Sequence, residues 1–320
     1  MPCRRWPIPL LATLLAILSV LYLWSGPGGL LPNLLGKGLN AILVIRASRL
    51  AAALATGVVL SCAGLLLQYS LRNPLADPFL LGVSPAALLA VALVALAAPG
   101  LTGFYAGVTI VSVMGGMAGL ALVALVSRMG VSVHTVILAG VAVSTTLTGL
   151  SYAVSYIAAT RLGWPPSHVL FGGFAGIVPE HALLLSATAL AALIATLLLA
   201  PRLEALLYGD DAAVLIGVEP RRARLAALLA AGIPVAIATG VAGVIGFVGL
   251  IAPNAARRLT GCIEARVTAL ASALLGALIV AAADDASRMI GVFSGLGELP
   301  AGALIAVIGG VSLALLLRTG

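Results

Sequence analysis

The stretch Arg72-Asn73-Pro74-Leu75-Ala76-Asp77-Pro78-Phe79-Leu80-Leu81-Gly82-Val83-Ser84 is a polar segment with two prolines, and it separates two long apolar segments. Proline lacks a backbone N–H and interrupts helices, so the segment predicts a loop. Because both neighbours are long and apolar, we expect this loop to lie at a membrane face, where one span ends and the next begins.

The composition supports a membrane setting. Of the 320 residues, 62% are hydrophobic and only 8% are charged, and the mean hydropathy is +1.21. A soluble core does not need so much apolar surface. A bilayer core is about 30 Å thick and takes about 20 apolar residues per helix, whose backbone polar groups must be satisfied internally. The sequence therefore predicts an all-α polytopic membrane protein with one transmembrane domain over residues 1–320.

Breaks rich in charge, proline or glycine divide the chain into about ten apolar segments. The eighth segment is too short to cross a bilayer straight, and its glycines and Pro253 predict a broken or tightly packed helix. The ten predicted spans are residues 9–24, 50–71, 85–98, 104–126, 133–159, 182–200, 225–242, 244–256, 267–283 and 301–317.

The basic residues predict the orientation, because Lys and Arg near span ends are retained in the cytoplasm. With the N-terminus inside, twelve of them fall on the inner face and five on the outer face. The inner set is Arg4, Arg5, Arg72, Arg128, Arg202, Arg221, Arg222, Arg224, Arg257, Arg258, Arg266 and Arg318. The outer set is Lys37, Arg46, Arg49, Arg161 and Arg288. We therefore expect both termini in the cytoplasm and an even number of spans.

Several function classes are disfavoured. The net charge of +7 is mostly this topological bias, and no basic, aromatic-rich soluble module is present to bind nucleic acid. The three cysteines and three histidines lack the spacing of a disulfide framework or a metal site. The only lysine, Lys37, is followed by Gly38 and Leu39 rather than by a hydroxyl residue, so the chain has no P-loop for ATP.

Two alternatives to an ATP-driven transporter remain open at this stage. An intramembrane hydrolase needs a nucleophile and a base, for which His134 is the one candidate base. An ion-coupled secondary transporter needs a buried titratable group near the membrane midplane. The neighbouring carboxylates Asp284 and Asp285 point about 100° apart on a helix, so we expect them to pair with Arg288 at the outer end of a span rather than to act on one substrate atom.

The longest polar interruption, residues 202–224, alternates charged with apolar side chains. This pattern predicts short amphipathic helices on the cytoplasmic surface. We expect two of them, punctuated by Gly209 and Gly217, with Pro220 closing the turn. The alternative is an ordinary interfacial loop, but an apolar stripe favours a partner surface. Its members are Leu203, Leu206, Leu207, Val214, Leu215 and Ile216.

Residues 65–84, which contain the opening stretch, resemble the hallmark of the permease family of type II ABC importers for iron chelates, haem and vitamin B12. Further segments resemble other motifs of that family in the same order along residues 42–310. These segments are residues 138–142, 212–218 with Arg221 and Arg222, 245–253, 282–288 and 297–302. The combination identifies the chain as a member of the family, with Asn254 standing where many members carry histidine.

The resemblance implies two copies of a ten-helix subunit around one pathway in the prokaryotic cell membrane. It also implies two cytoplasmic ATPase subunits, which bind ATP and Mg, and an external substrate-binding protein. This chain itself is then expected to be a permease without a cofactor or a catalytic group. The implied activity is import of an iron chelate (siderophore or haem) or vitamin B12.

The resemblance also assigns residues to three roles. Asn73, Pro74 and Leu75 match the cytoplasmic gate. Arg46, Arg49 and Arg288 match arginines that dock the binding protein, although anchoring in the membrane interface is the alternative. Residues that match the ATPase coupling segment are Leu206, Gly209, Asp210, Asp211, Ala212, Leu215, Gly217, Val218, Arg221 and Arg222.

The pathway lining is predicted from the residues alone. The fifth span carries the richest group of hydroxyl side chains, and members spaced at i, i+4 and i, i+7 share a helix face. The predicted lining consists of Ser144, Thr145, Thr148, Ser151, Tyr152 and Ser155. The alternative is helix packing with hydroxyls bonded to carbonyls of their own helix.

Overall fold

The computed structural model describes residues 4–24, 39–79, 81–102, 105–127, 133–162, 172–294 and 298–318. Regular structure in these ranges is helical throughout, which confirms the predicted all-α class. Lys37, Leu80, Arg128, His168 and Gly297 lie outside the described residues. The helices are α1 (Pro7–Trp24), α2 (Leu39–Ser70), α3 (Val83–Ala97), α4 (Pro99–Thr102), α5 (Tyr105–Ser127), α6 (Val133–Leu162), α7 (Pro179–Leu207), α8 (Asp210–Leu215), α9 (Pro220–Ala242), α10 (Val248–Thr260), α11 (Ala265–Ser294) and α12 (Ala301–Arg318).

Ten of the described helices have 13 residues or more, and each overlaps one predicted span. Seven of them, α1, α2, α5, α6, α7, α9 and α11, are long and apolar enough to cross a membrane. Helix α3 and the first part of α12 are apolar but shorter. Helix α10 has 13 residues and carries Arg257 and Arg258 in its last turn. The chain is therefore a multi-pass protein of the cell membrane.

Several predicted boundaries are wrong, and α11 continues to Ser294 rather than ending near residue 283. Helix α2 begins at Leu39 rather than near residue 50, so two of the predicted docking arginines lie inside the helix. Helix α7 continues through Pro201 to Leu207, because Leu203 and Leu206 are buried against the bundle and packing outweighs the missing N–H of the proline. Only one short helix, α8, therefore lies between α7 and α9 instead of the expected two, and Pro220 opens α9 rather than closing a turn.

Helix α2 is the centre of the bundle and packs against α7, α9, α10 and α11. Glycines permit its closest approaches. An added Cβ on Gly57 would overlap the backbone of Gly276 in α11, and one on Gly64 would overlap Gly249 in α10. The eighth span is thus tightly packed, as predicted, and it is also preceded by a break at residues 243–247, where Gly243 and Phe247 have φ of 74° and 66°.

Two of the cysteines lie among the described residues. Cys62 is a free thiol buried in α2, and Cys262 is buried between α10 and α11. Among the described residues, no group of three His, Cys, Asp or Glu side chains is arranged to hold a metal ion.

Candidate functional site

The loop between α2 and α3, residues 71–82, is here called the gate loop. It starts with a helix-ending turn in which the N–H of Asn73 donates to the carbonyl of Gln68 at 3.0 Å and the N–H of Arg72 donates to Tyr69 at 3.4 Å. This pair of bonds is the Schellman motif, and its left-handed position is usually glycine. Here that position is Arg72, with φ of 51°.

Two side chains shape the rest of the gate loop. Asn73 Oδ1 accepts from the N–H of Leu75 at 2.9 Å, and Asp77 Oδ1 accepts from the N–H of Phe79 at 2.8 Å. These are Asx turns, in which a short polar side chain replaces a backbone acceptor. Pro74 is exposed between them, while Asn73 and Leu75 are half-buried. The predicted gate residues therefore form one ordered turn.

The gate loop is attached to α10. Asn254 Nδ2 donates to the carbonyl of Pro74 at 2.8 Å, so this amide contacts one of the predicted gate residues directly. Arg257 donates to Asn254 Oδ1 at 2.7 Å and to Gln68 Oε1 at 2.5 Å. A cavity of about 420 Å³ adjoins these groups, and its lining is Gln68, Tyr69, Arg72, Asn73, Pro74, Leu207, Tyr208, Arg257 and Ile263.

Asp77 is a buried carboxyl in the gate loop, with an exposed fraction of 4%. Its Oδ2 lies close to the backbone of Gly249 near the start of α10. Burial raises the pKa of Asp77 to about 6, and backbone hydrogen bonds from Phe79 and Leu250 only partly oppose that shift.

The predicted coupling segment forms α8 and its flanking turns. Gly209, with φ of 119°, precedes the helix, and Gly217, with φ of 82°, ends it. The side chains of Val214, Leu215 and Ile216 are exposed, Leu215 to 86%. Tyr208 is 82% exposed beside them. We call these four residues the α8 patch.

Leu206 was assigned to the same contact, but it is fully buried inside the chain. Val218 is partly buried and packs against the core. The apolar stripe is therefore divided between the core and the surface, and its exposed members are the ones open to a partner. Arg221 is also exposed, and Arg222 forms an exposed ion pair with Glu219 at 2.7 Å.

Asp210, the first residue of α8, is paired with two arginines from elsewhere in the chain. Arg224 binds both of its oxygens, at 2.9 and 2.6 Å, and Arg72 binds one of them. The hydrogen bond from Arg224 is the main reason that the pKa of Asp210 lies below its ordinary value. Asp211 next to it is exposed. Asp210, Arg72 and Arg224 form the Asp210 cluster.

A second cluster joins α1, α2, α11 and the segment before α12. Arg49 donates to both oxygens of Asp284, each at 2.8 Å, and to Glu298 at 2.7 Å. Tyr22 donates to Asp284 as well. Asp285 pairs with Arg288 at i, i+3, which confirms one of the expected partners. We call this group the Asp284 cluster.

The three predicted docking arginines face inward in this chain. Arg46 donates to the carbonyls of Leu23 and Trp24 at 2.9 and 3.3 Å. The guanidinium carbon of Arg288 lies 3.6 Å from the centre of the Tyr22 ring, and its side chain is almost fully buried. These arginines therefore have partners within the protein.

The predicted lining residues of α6, all of which carry a hydroxyl, are divided between two faces of the helix. Ser144 donates to the carbonyl of Phe79 in the gate loop at 2.9 Å, and Ser151 donates to Pro85 in α3 at 2.6 Å. Ser155 is also buried. Thr145 is exposed and donates to its own helix at 2.7 Å, while Thr148 and Tyr152 are half-buried. Ser144 and Ser151 thus bind carbonyls of neighbouring segments, whereas the Oγ of Ser155 has no hydrogen-bond partner among the described residues. The pathway lining stays a prediction.

Sequence reasoning missed the partners of these residues. Tyr22 and Arg49 reach Asp284 across more than 200 positions of chain, and Glu298 reaches Arg49 from the segment before α12; no local pattern connects them. Arg224 was counted only as an inner-face charge. The signal that could have found the Asp210 cluster is the excess of arginines around the aspartates that follow Gly209, but their pairing depends on the fold.

Comparison with known proteins gives a consistent result. The model of the FecCD transport family matches residues 9–319. The vitamin B12 import system permease protein BtuC of Vibrio cholerae is 33% identical over 311 residues, which covers 96% of this chain and 92% of that protein. The Fe(3+)-citrate import system permease protein YfmE of Bacillus subtilis is 31% identical over 320 residues, covering 94% and 91%.

The chain belongs to the FecCD transport family. A solved structure described as an inward-facing metal-chelate type ABC transporter has the same fold, with a TM-score of 0.79, 27% identity and coverage of 97% of this chain and 98% of that one. Members of the family are transport permeases rather than enzymes. Membership therefore favours an ABC permease over the secondary transporter and the hydrolase.

Proposed function

We propose that this chain is the permease subunit of an ATP-driven importer that moves an iron chelate, such as a siderophore complex or haem, or vitamin B12 into the cytoplasm. The observation that carries the proposal is the family match over nearly the whole chain. The two named relatives are permease proteins of import systems for vitamin B12 and for Fe(3+)-citrate. These substrates support a bulky metal complex as the cargo of this chain. Two copies of the permease, each with ten spans and both termini in the cytoplasm, enclose the pathway.

The α8 patch supports a role as the ATPase contact. Four neighbouring apolar side chains point away from the chain, and such a patch at a helix turn is typical of a protein interface. We propose that the patch of each permease copy occupies a groove on one of two cytoplasmic ATPase subunits. Gly209, Asp211, Ala212, Gly217 and Arg221 take part in the same contact. Those subunits bind ATP and Mg, and this chain supplies the surface that they move.

The Asp284 cluster lies at the end of the bundle where we propose that an external substrate-binding protein docks. Arg46, Arg49 and Arg288 carry three positive charges there, and complementary charge mainly sets the orientation and rate of docking. Direct ion pairs with the binding protein require these side chains to leave their present partners, since each of them is already engaged within the chain.

Co-purification with the candidate ATPase tests the proposal. We expect the wild-type chain in mild detergent to give a complex of two permeases and two ATPases by native mass spectrometry. Replacing Leu215 and Ile216 by serine in the α8 patch should abolish that complex. The matched control is Leu183→Ser, since Leu183 is equally apolar and 73% exposed but lies at the start of α7. A folded permease that binds no ATPase would contradict the proposal.

A further inference from the structure

We infer that Asp210 is a positioning residue that links α8 to the gate loop through Arg72, so that a displacement of α8 is transmitted to Asn73, Pro74 and Leu75. The direction of this transmission rests on the proposed function, in which α8 contacts the ATPase. The contact between Asp210 and Arg72 lies within this chain and does not depend on a partner.

The first argument is the number of segments that meet at one carboxylate. Asp210 moves with α8 because it is the first residue of that helix. Arg72 also donates through Nε to the carbonyl of Leu206 at 2.5 Å, and Arg224 donates through Nε to Ser70 at 3.2 Å. The carboxylate therefore joins the ends of α2 and α7, the gate loop and the start of α9. Bidentate arginine contacts fix orientation as well as distance.

The second argument is the backbone of Arg72. A non-glycine residue with φ of 51° is in a conformation that costs free energy and persists only where its surroundings hold it. The side-chain contacts to Asp210 and Leu206 supply that restraint. If α8 carries Asp210 away, Arg72 is free to leave the left-handed region, and its neighbour Asn73 loses the turn that directs its N–H to Gln68. The inferred consequence is that the backbone of the gate loop changes when α8 moves.

The chain provides a matched control for this inference. Asp211 has the same charge and the same short helix, and it is exposed. Within the described part of the chain it makes none of the hydrogen bonds or ion pairs that Asp210 makes. A difference between the two aspartates therefore reports the contact with Arg72 and Arg224 rather than the charge of α8.

Hydrogen exchange of the full-length permease in nanodiscs tests the link. We expect Asp210→Ala to speed exchange of residues 71–79 by about fivefold, the change expected when an interaction network of this kind is lost, whereas Asp211→Ala leaves it unchanged. If the Asp210→Ala variant folds poorly, Asp210→Asn is used in its place, because it keeps the side-chain volume. Equal exchange in the Asp210 and Asp211 variants would overturn the inference.

A second variant separates the link from a purely local effect. Arg72→Gly suits the left-handed turn but removes the side chain that reaches Asp210. If Asp210 acts through Arg72, adding Asp210→Ala to Arg72→Gly should not change exchange of the gate loop any further. If the fivefold effect of Asp210→Ala persists in the glycine background, Asp210 acts by another route and the inference is wrong.

These measurements use the permease alone. Failure of the permease to bind an ATPase would therefore contradict the proposed function while leaving the link between α8 and the gate loop intact. Loss of the exchange effect in a permease that does assemble with its ATPase would remove the link and leave the proposed function standing.

Discussion

Asp284 is the residue on which the Asp284 cluster depends, because it accepts hydrogen bonds from both Arg49 and Tyr22 while its own side chain is 1% exposed. Three arginines and three carboxylates meet at this end of the bundle, the arginines being Arg46, Arg49 and Arg288. A buried charge is tolerated only when it is paired and hydrogen-bonded. The cluster thus fixes α1, α2 and α11 relative to one another.

Removing the charge of Asp284 should destabilise the protein strongly. Asp284→Asn removes one of the two carboxylates that Arg49 binds and leaves Glu298 as its remaining partner, so we expect a cost near the lower end of the about 3–5 kcal/mol that breaking a buried pair carries. The measurement is the denaturant midpoint of unfolding in detergent. Asp211→Asn, which removes an exposed carboxylate, serves as the control and should change little. Equal midpoints for the two variants would mean that the cluster does not hold the helices together.

Asp77 predicts a pH dependence. Its pKa in the folded chain is about 6, raised from an ordinary 3.8 by burial, so folding favours the protonated form. The stabilisation by Asp77 is therefore complete below about pH 4 and is lost as the pH rises through 6. We expect Asp77→Asn to remove this part of the pH dependence. Unfolding midpoints at pH 4.5, 6.0 and 7.5 check it, and parallel curves for the two proteins would show that Asp77 does not titrate in this range.

At the scale of elements, the sequence predicts which segments are helices but not where all of them end. Each of the ten apolar segments overlaps a described helix of 13 residues or more, and seven of these helices are long and apolar enough to cross a membrane. The early start of α2 was not predictable, because charged residues such as Arg46 and Arg49 are typical of loops. Only the fold shows that Arg49 pairs with Asp284 and that Arg46 donates to carbonyls at the end of α1. Pro201 suggested a helix end for the same reason, as only the fold shows that Leu203 and Leu206 are buried.

The crossing of α2 with α10 predicts an effect of a single methyl group. In Gly64→Ala the new Cβ would overlap the carbonyl of Gly249, which belongs to backbone and cannot rotate away. We expect a loss of about 1–3 kcal/mol, as for other overpacked sites. Gly149→Ala in α6 is the control, since a Cβ there meets nothing within 4 Å. Unfolding midpoints compare the two, and an unaffected Gly64→Ala protein would show that the helices can separate at no cost.

For the whole molecule, composition and the order of motifs were enough to predict a multi-pass membrane protein of the permease family. The gate loop was found because prolines and polar residues are conspicuous between apolar spans. The Asp210 and Asp284 clusters were not found, because each joins residues that are distant in sequence and are paired only by the packing of helices. The sequence therefore indicated the gate loop and the coupling segment as candidate sites, and the structure supplied the contacts between them.

Uptake into proteoliposomes tests the central claim most directly. The vesicles contain the permease with its ATPase and are supplied with the binding protein and radiolabelled cyanocobalamin, ferric citrate or haemin. We predict that one of these probes accumulates only when ATP and Mg are supplied on the ATPase side, and that collapsing a proton gradient has no effect. Uptake that proceeds without ATP and stops when the proton gradient is collapsed would contradict the account.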